Sequence, residues 1–111
     1  MEMYLDYIKE RENLSTLEID GGFVLYKYDG DICFISDLYI QKDYRGKKMS
    51  HELANMLCDM AKAHGSKQLA CQVDLTANDV EASLGTIISY GFKVLKGYGY
   101  SNIITFTKEI E

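Results

Sequence analysis

The chain has 111 residues, enough for one domain and too few for two. Hydrophobic residues make up 47% and charged residues 26%, which excludes a disordered or fibrous chain. A net charge of −5 argues against a general nucleic-acid binder, and no apolar run approaches the ~20 residues that span a membrane.

Residues 1–12 hold four acids and no apolar h-region, so no signal peptide is expected. Three scattered cysteines, Cys33, Cys58 and Cys71, read as reduced thiols in a cytoplasmic protein. Residues 4–12 form an expected short helix with apolar Tyr4, Leu5 and Ile8. Strand patterns begin at Leu17–Asp20 and continue, after a Gly21-Gly22 turn, in Phe23–Tyr28. Asp29-Gly30 is a strong hairpin signal, because glycine accepts the positive φ of a tight turn. Ile32–Ile40 then reads as a long strand buried on both faces.

Residues 41–49 are polar and basic. Ser50 is the expected N-cap of a helix whose apolar face is Leu53, Met56, Leu57, Met60 and Ala61, ending at His64-Gly65. Leu69–Leu75 is the next strand. Asn78, with Glu81 three residues on, is the expected cap of a helix with apolar Val80, Leu84, Ile87 and Ile88. Gly91 ends that helix, and Phe92–Tyr98 and Asn102–Thr107 are the last two strands. The middle strand–helix–strand implies a parallel pair with a right-handed crossover. The early strands form hairpins, so the sheet is mixed and the class is α/β or α+β.

Lys42, Arg45, Lys47 and Lys48 concentrate positive charge between a buried strand and a helix N-terminus. Such a terminus carries unpaired N–H groups and partial positive charge, and Gly46 allows a tight turn. The combination suits a phosphate or pyrophosphate. Other chemistries find no support. The cysteines, His51 and His64 lack metal-ligand spacing, and His51 reads as an exposed first-turn residue. No G-x-x-x-x-G-K-[ST], G-x-G-x-x-G or serine-nucleophile elbow is present. The tyrosines at 26, 28, 39, 44, 90, 98 and 100 suggest sheet positions more than base stacking. Gly85 inside a helix marks either a close approach or a tolerated cost of ~1 kcal/mol.

The run Asp37-Leu38-Tyr39-Ile40-Gln41-Lys42-Asp43-Tyr44-Arg45-Gly46-Lys47-Lys48 resembles the acyl-CoA-binding segment of the GNAT N-acetyltransferase family. Ser89-Tyr90-Gly91-Phe92 resembles that family's helix ending in Gly-Phe. The resemblance covers about residues 17–108 and implies a mixed, mostly antiparallel sheet with one parallel βαβ unit and helices on both faces. It implies acetyl-CoA as co-substrate, held by Leu38, Tyr39, Ile40, Arg45, Gly46, Lys47, Lys48, Met49, Ser50 and Asn78. The implied activity is transfer of the acetyl group to an amine by direct attack. Asp37 is then the candidate general base, and one of Tyr90, Tyr98 or Tyr100 the general acid.

Three departures are visible. Of the two small positions in the family's loop, Ser50 here is small and Lys48 is not. Its usual acid tyrosine is replaced by Ile87. Only sixteen residues precede the first expected strand, so a large acceptor such as a protein, or a homodimer, would have to complete the acceptor wall. The alternative reading is a catalytically impaired GNAT-fold binding or interaction protein.

Overall fold

A computed structural model describes residues 2–46, 48–78, 80–95 and 102–111, with the side chains of Glu2, Leu5 and Ile8 outside the description. Lys47, Tyr98 and Tyr100, singled out by sequence, lie outside the described residues. The elements run α1 (Glu2–Glu12), β1 (Ser15–Ile19), β2 (Gly22–Asp29), β3 (Ile32–Ile40), a 3-10 turn (Lys42–Tyr44), α2 (Met49–His64), β4 (Gln68–Asp74), α3 (Val80–Tyr90), β5 (Lys93–Val94) and β6 (Ile103–Glu109). The six-stranded sheet has the order β1-β2-β3-β4-β6-β5. All neighbours are antiparallel except β3 and β4, which α2 joins as a parallel pair.

Local chemistry sets the connections. Gly30, at φ +60°, turns the β2–β3 hairpin so that Asp29 pairs with Ile32. Asn13, at φ +56°, closes α1, and Leu14 N–H reaches back to the Lys9 carbonyl. Gly65, at φ +100°, ends α2 by donating to the Ala61 and Lys62 carbonyls.

The face of α2 toward the sheet is Leu53, Ala54, Leu57 and Ala61, all buried. Met56 and Met60, expected in that stripe, stand at its flank and are exposed. The buried stripe needs only the a/d-type rows, and alanines let the helix lie close to the strands. Leu53, Leu57 and Ala61 pack with Val24, Cys33, Leu69, Cys71 and Phe106 into the main core. Val80, Leu84 and Ile87 of α3 close the same core, whereas Ile88, expected with them, stands at the edge of that face and is 60% exposed. On the other sheet face Leu14, Leu25 and Phe23 form a smaller cluster. Tyr4 and Glu12 place α1 along that face. Helices therefore lie on both faces.

The β1–β2 turn is fastened to the loop that follows β3. Gln41 N–H donates to the Gly21 carbonyl at 2.7 Å, and the Tyr44 ring lies over Gly21. A Cβ at Gly21 would sit 2.4 Å from that ring, and the backbone there has φ +86°. Gly21→Ala is therefore expected to cost about 2–3 kcal/mol, combining left-handed strain with overpacking. Gly30→Ala, where nothing lies within 4 Å, should cost only about 1 kcal/mol of strain. Denaturant unfolding of both variants checks this, and equal losses would remove the Tyr44 contact as the cause.

Candidate active site

The central irregularity of the sheet makes the site. Leu25 pairs with Asp37 but the next residue, Tyr26, pairs with Ile35. Ser36 is thus an extra residue, a bulge in β3. The parallel ladder with β4 ends at the same level, at Ile35↔Cys71, although both strands run on. A bulge adds local twist, so the two strands part, and residues 36–40 of β3 no longer pair with β4. The gap becomes a groove of about 830 Å³ lined by both strands, the loop after β3, the start of α2 and the facing side of α3.

At one end of the groove the basic loop enters α2. Gly46 has φ +79° and Lys48, the residue before the helix, φ +59°. Among the described residues no side chain caps α2. Ser50, expected as its N-cap, is instead the second helical residue, because the left-handed turn at Lys48 starts the helix two residues earlier. The first-turn N–H groups thus have no side-chain acceptor, the condition under which a helix N-terminus binds an anion. Nothing lies within 4 Å of a Cβ built at Gly46, so its backbone is open to approach. Arg45 folds back, donating from Nε to the Ile40 carbonyl at 3.0 Å, with its guanidinium 5.8 Å from the centre of the Tyr39 ring. It braces the strand end while keeping its charge at the rim. Met49 packs against the main core and anchors the helix start. Asn78 borders the groove two residues before α3; the cap position itself, Asp79, lies outside the described residues.

Leu38 and Tyr39 are exposed along the parted strand, while Ile40 turns into the core. Asp37 sits beside the bulge, where partial desolvation and the negative charge of Glu12 push its carboxyl above the usual range. Tyr90 borders the groove, but its hydroxyl donates to Asn55 Oδ1 at 2.7 Å. Burial, with Cys58 and Asp59 nearby, pushes that hydroxyl up to about 12. His51 is half-buried rather than exposed. Ser89 Oγ donates to the Thr86 carbonyl, leaving its oxygen to accept from His51 Nε2 at 3.0 Å. The His51 ring meets Tyr90 edge-on at 5.4 Å. These contacts tie α2 to α3 across the groove mouth. Asn55, His51 and Glu12 were not legible as site residues, since each acquires its neighbour from a distant element.

The family model for the acetyltransferase (GNAT) family matches residues 4–84. The chain belongs to the GNAT acetyltransferase family. Solved structures agree on the fold of this GNAT domain. PaiA N-acetyltransferase from Thermoplasma acidophilum, solved in complex with coenzyme A, aligns with TM-score 0.72 and 20% identity over 92% of this chain and 65% of its own. Ard1 from Thermoplasma volcanium aligns with TM-score 0.71 and 17% identity over 97% of this chain and 78% of its own. An acetyltransferase of the GNAT family from Staphylococcus aureus aligns with TM-score 0.66 and 13% identity over 82% and 60%. The chain thus spans less than two thirds of the PaiA and Staphylococcus aureus proteins. A comparison with curated protein sequences finds no match.

The raised carboxyl at Asp37 predicts a stability signature. A folded pKa above the unfolded one means the folded chain holds the proton more tightly. Stability is then lost as pH rises from about 4 through the folded value. Asp37→Asn should melt above the parent at neutral pH, with the gain shrinking as pH falls toward about 4. A gain independent of pH would exclude titration of Asp37 as its source.

Proposed function

We propose that this GNAT domain transfers an acetyl group from acetyl-CoA to an amine by direct attack. The observation that carries the reading is the parting of β3 and β4 after Ile35, opening onto the uncapped start of α2. The pyrophosphate fits the amides of the Tyr44–Ser50 loop, with Lys42, Lys48 and the Arg45 charge at the rim and Lys47 in the same loop. The unpaired edge of Leu38, Tyr39 and Ile40 offers backbone groups to the amides of the pantetheine arm, as a sheet edge does to an added strand. Asn78 faces the same arm from the α3 side of the groove.

That placement brings the thioester to the bulge. Backbone N–H groups freed there polarise its carbonyl. Asp37 takes a proton from the ammonium form of the acceptor, and its raised pKa makes it a better base near neutrality. The amine nitrogen then bonds to the acyl carbon, the carbon–sulfur bond breaks, the nitrogen gives its second proton to solvent, and CoA leaves as thiolate. Tyr90 fits poorly as the acid for this step. Its hydroxyl is held by Asn55, and at about 12 it is a weaker acid than a thiol at ~8.5. Solvent at the open groove supplies that proton, and Tyr90 acts as a strut between α2 and α3. Cys71 borders the groove, but burial pushes its thiol up to about 11, which disfavours an acyl-cysteine intermediate. Most of the rate is then alignment, which supplies up to ~7–11 kcal/mol.

Acetyl-CoA at about 100 times Kd is expected to stabilise the protein by ~2.7 kcal/mol in thermal or denaturant unfolding. Gly46→Val, which closes the backbone approach, should remove most of that effect. A panel of amines should then release free CoA in steady state. Absence of stabilisation by acetyl-CoA overturns the reading.

A further inference from the structure

The sheet ends at β1. That strand pairs only with β2, so among the described residues its outer edge presents unpaired N–H and C=O groups. Proteins commonly blunt such an edge with proline, lysine or a bulge. β1 reads Ser-Thr-Leu-Glu-Ile and pairs without interruption from Ser15↔Tyr26 to Ile19↔Gly22, so it has none of these devices.

The two faces beside this edge differ. Leu17 and Ile19 are partly buried against the main core, on the side that α2 covers. His51 and Asn55 mark the flank of α2 that meets α3, and helical spacing puts Met56 and Met60 on the other flank. Because α2 lies over β2 and β3, and α3 over β4, that other flank faces β1. Met56 is 43% exposed and Met60 38%. An apolar strip of adaptable side chains therefore borders the open edge on this side. Alternation turns exposed Glu18 to the opposite face. α1 lies along that face, and residues 1–20 carry a net −4 of the chain's −5. Neither β1 nor the two methionines border the groove between β3 and β4.

We propose that the β1 edge docks an extended segment of a partner protein in which apolar residues alternate with lysine or arginine. The segment's backbone pairs with β1 as an added strand. Its apolar residues lie beside Met56, Met60 and Leu17, and its cations meet Glu18 on the α1 side. The two-residue period of a strand matches this division between an apolar and an acidic face. A second copy of the chain fits less well. Pairing β1 antiparallel with itself about Leu17 would set the two Glu18 side chains diagonally on one face, next to two acidic α1 helices.

Two capped heptapeptides probe the edge, one alternating lysine with valine and the other glutamate with valine. Fluorescence anisotropy on the full chain at low ionic strength should give the lysine peptide at least a tenfold lower Kd. The preference should shrink in high salt and fall to roughly twofold or less in Glu18→Lys. Met56→Gln combined with Met60→Gln should weaken the lysine peptide about fivefold or more. All three side chains are exposed, so these variants should keep the parent's melting temperature. N-methylation of alternate peptide amides should abolish binding in the frame that faces β1 and leave it within about twofold in the other. Equal binding of the two peptides, a preference unchanged in Glu18→Lys, or binding that survives N-methylation in both frames overturns the proposal. So does a concentration-dependent dimer, seen by ultracentrifugation, that excludes the lysine peptide.

Discussion

One extra residue in β3 controls the molecule. With Ser36 unpaired, the strand twists away from β4 just where their ladder ends, at Ile35↔Cys71. Everything on the N-terminal side of that point is tightly packed sheet, with Cys33 and Leu69 fully buried as neighbours. Everything beyond it is an opened seam with backbone groups no longer paired between strands. A parallel sheet without that irregularity would close the seam and leave no room for a ligand in the plane of the sheet.

The surrounding elements hold the seam open in a fixed shape. The β1–β2 turn grips the loop after β3 through Gly21, Gln41 and Tyr44. Arg45 ties that loop to the strand end at Ile40. Across the groove, Tyr90–Asn55 and His51–Ser89 bind α3 to α2. The described part of the loop is therefore pinned from both sides. The left-handed Lys48 carries a cost, since a non-glycine residue there is strained.

Charge is distributed to match. Lys42, Arg45 and Lys48 make the loop before α2 basic, whereas residues 1–20 carry a net −4 of the chain's −5. The bulge lies between them, with Asp37 at the boundary.

Much of this was legible from local pattern. Alternation and the Asp29-Gly30 turn located the strands, the crossover placed β3 beside β4, and the basic run with Gly46 marked the loop before α2. These signals are local because turn geometry and side-chain period are set by neighbouring residues. Other features belong to the tertiary structure alone. Ser36 has no signature of a bulge, since the extra residue exists only relative to its partner strand. Lys48 rather than Ser50 starts α2, because the path of the pinned loop outweighs capping preference. Met56, Met60 and Ile88 are exposed despite helical spacing, because the facing surface is narrower than the apolar stripe. Tyr90 gains a hydrogen-bond partner in Asn55, thirty-five residues away. Sequence by itself determined the elements, their order and the basic loop before α2. Only the tertiary structure decided where the sheet opens and which side chains face the opening, because both depend on pairing between residues far apart in the chain.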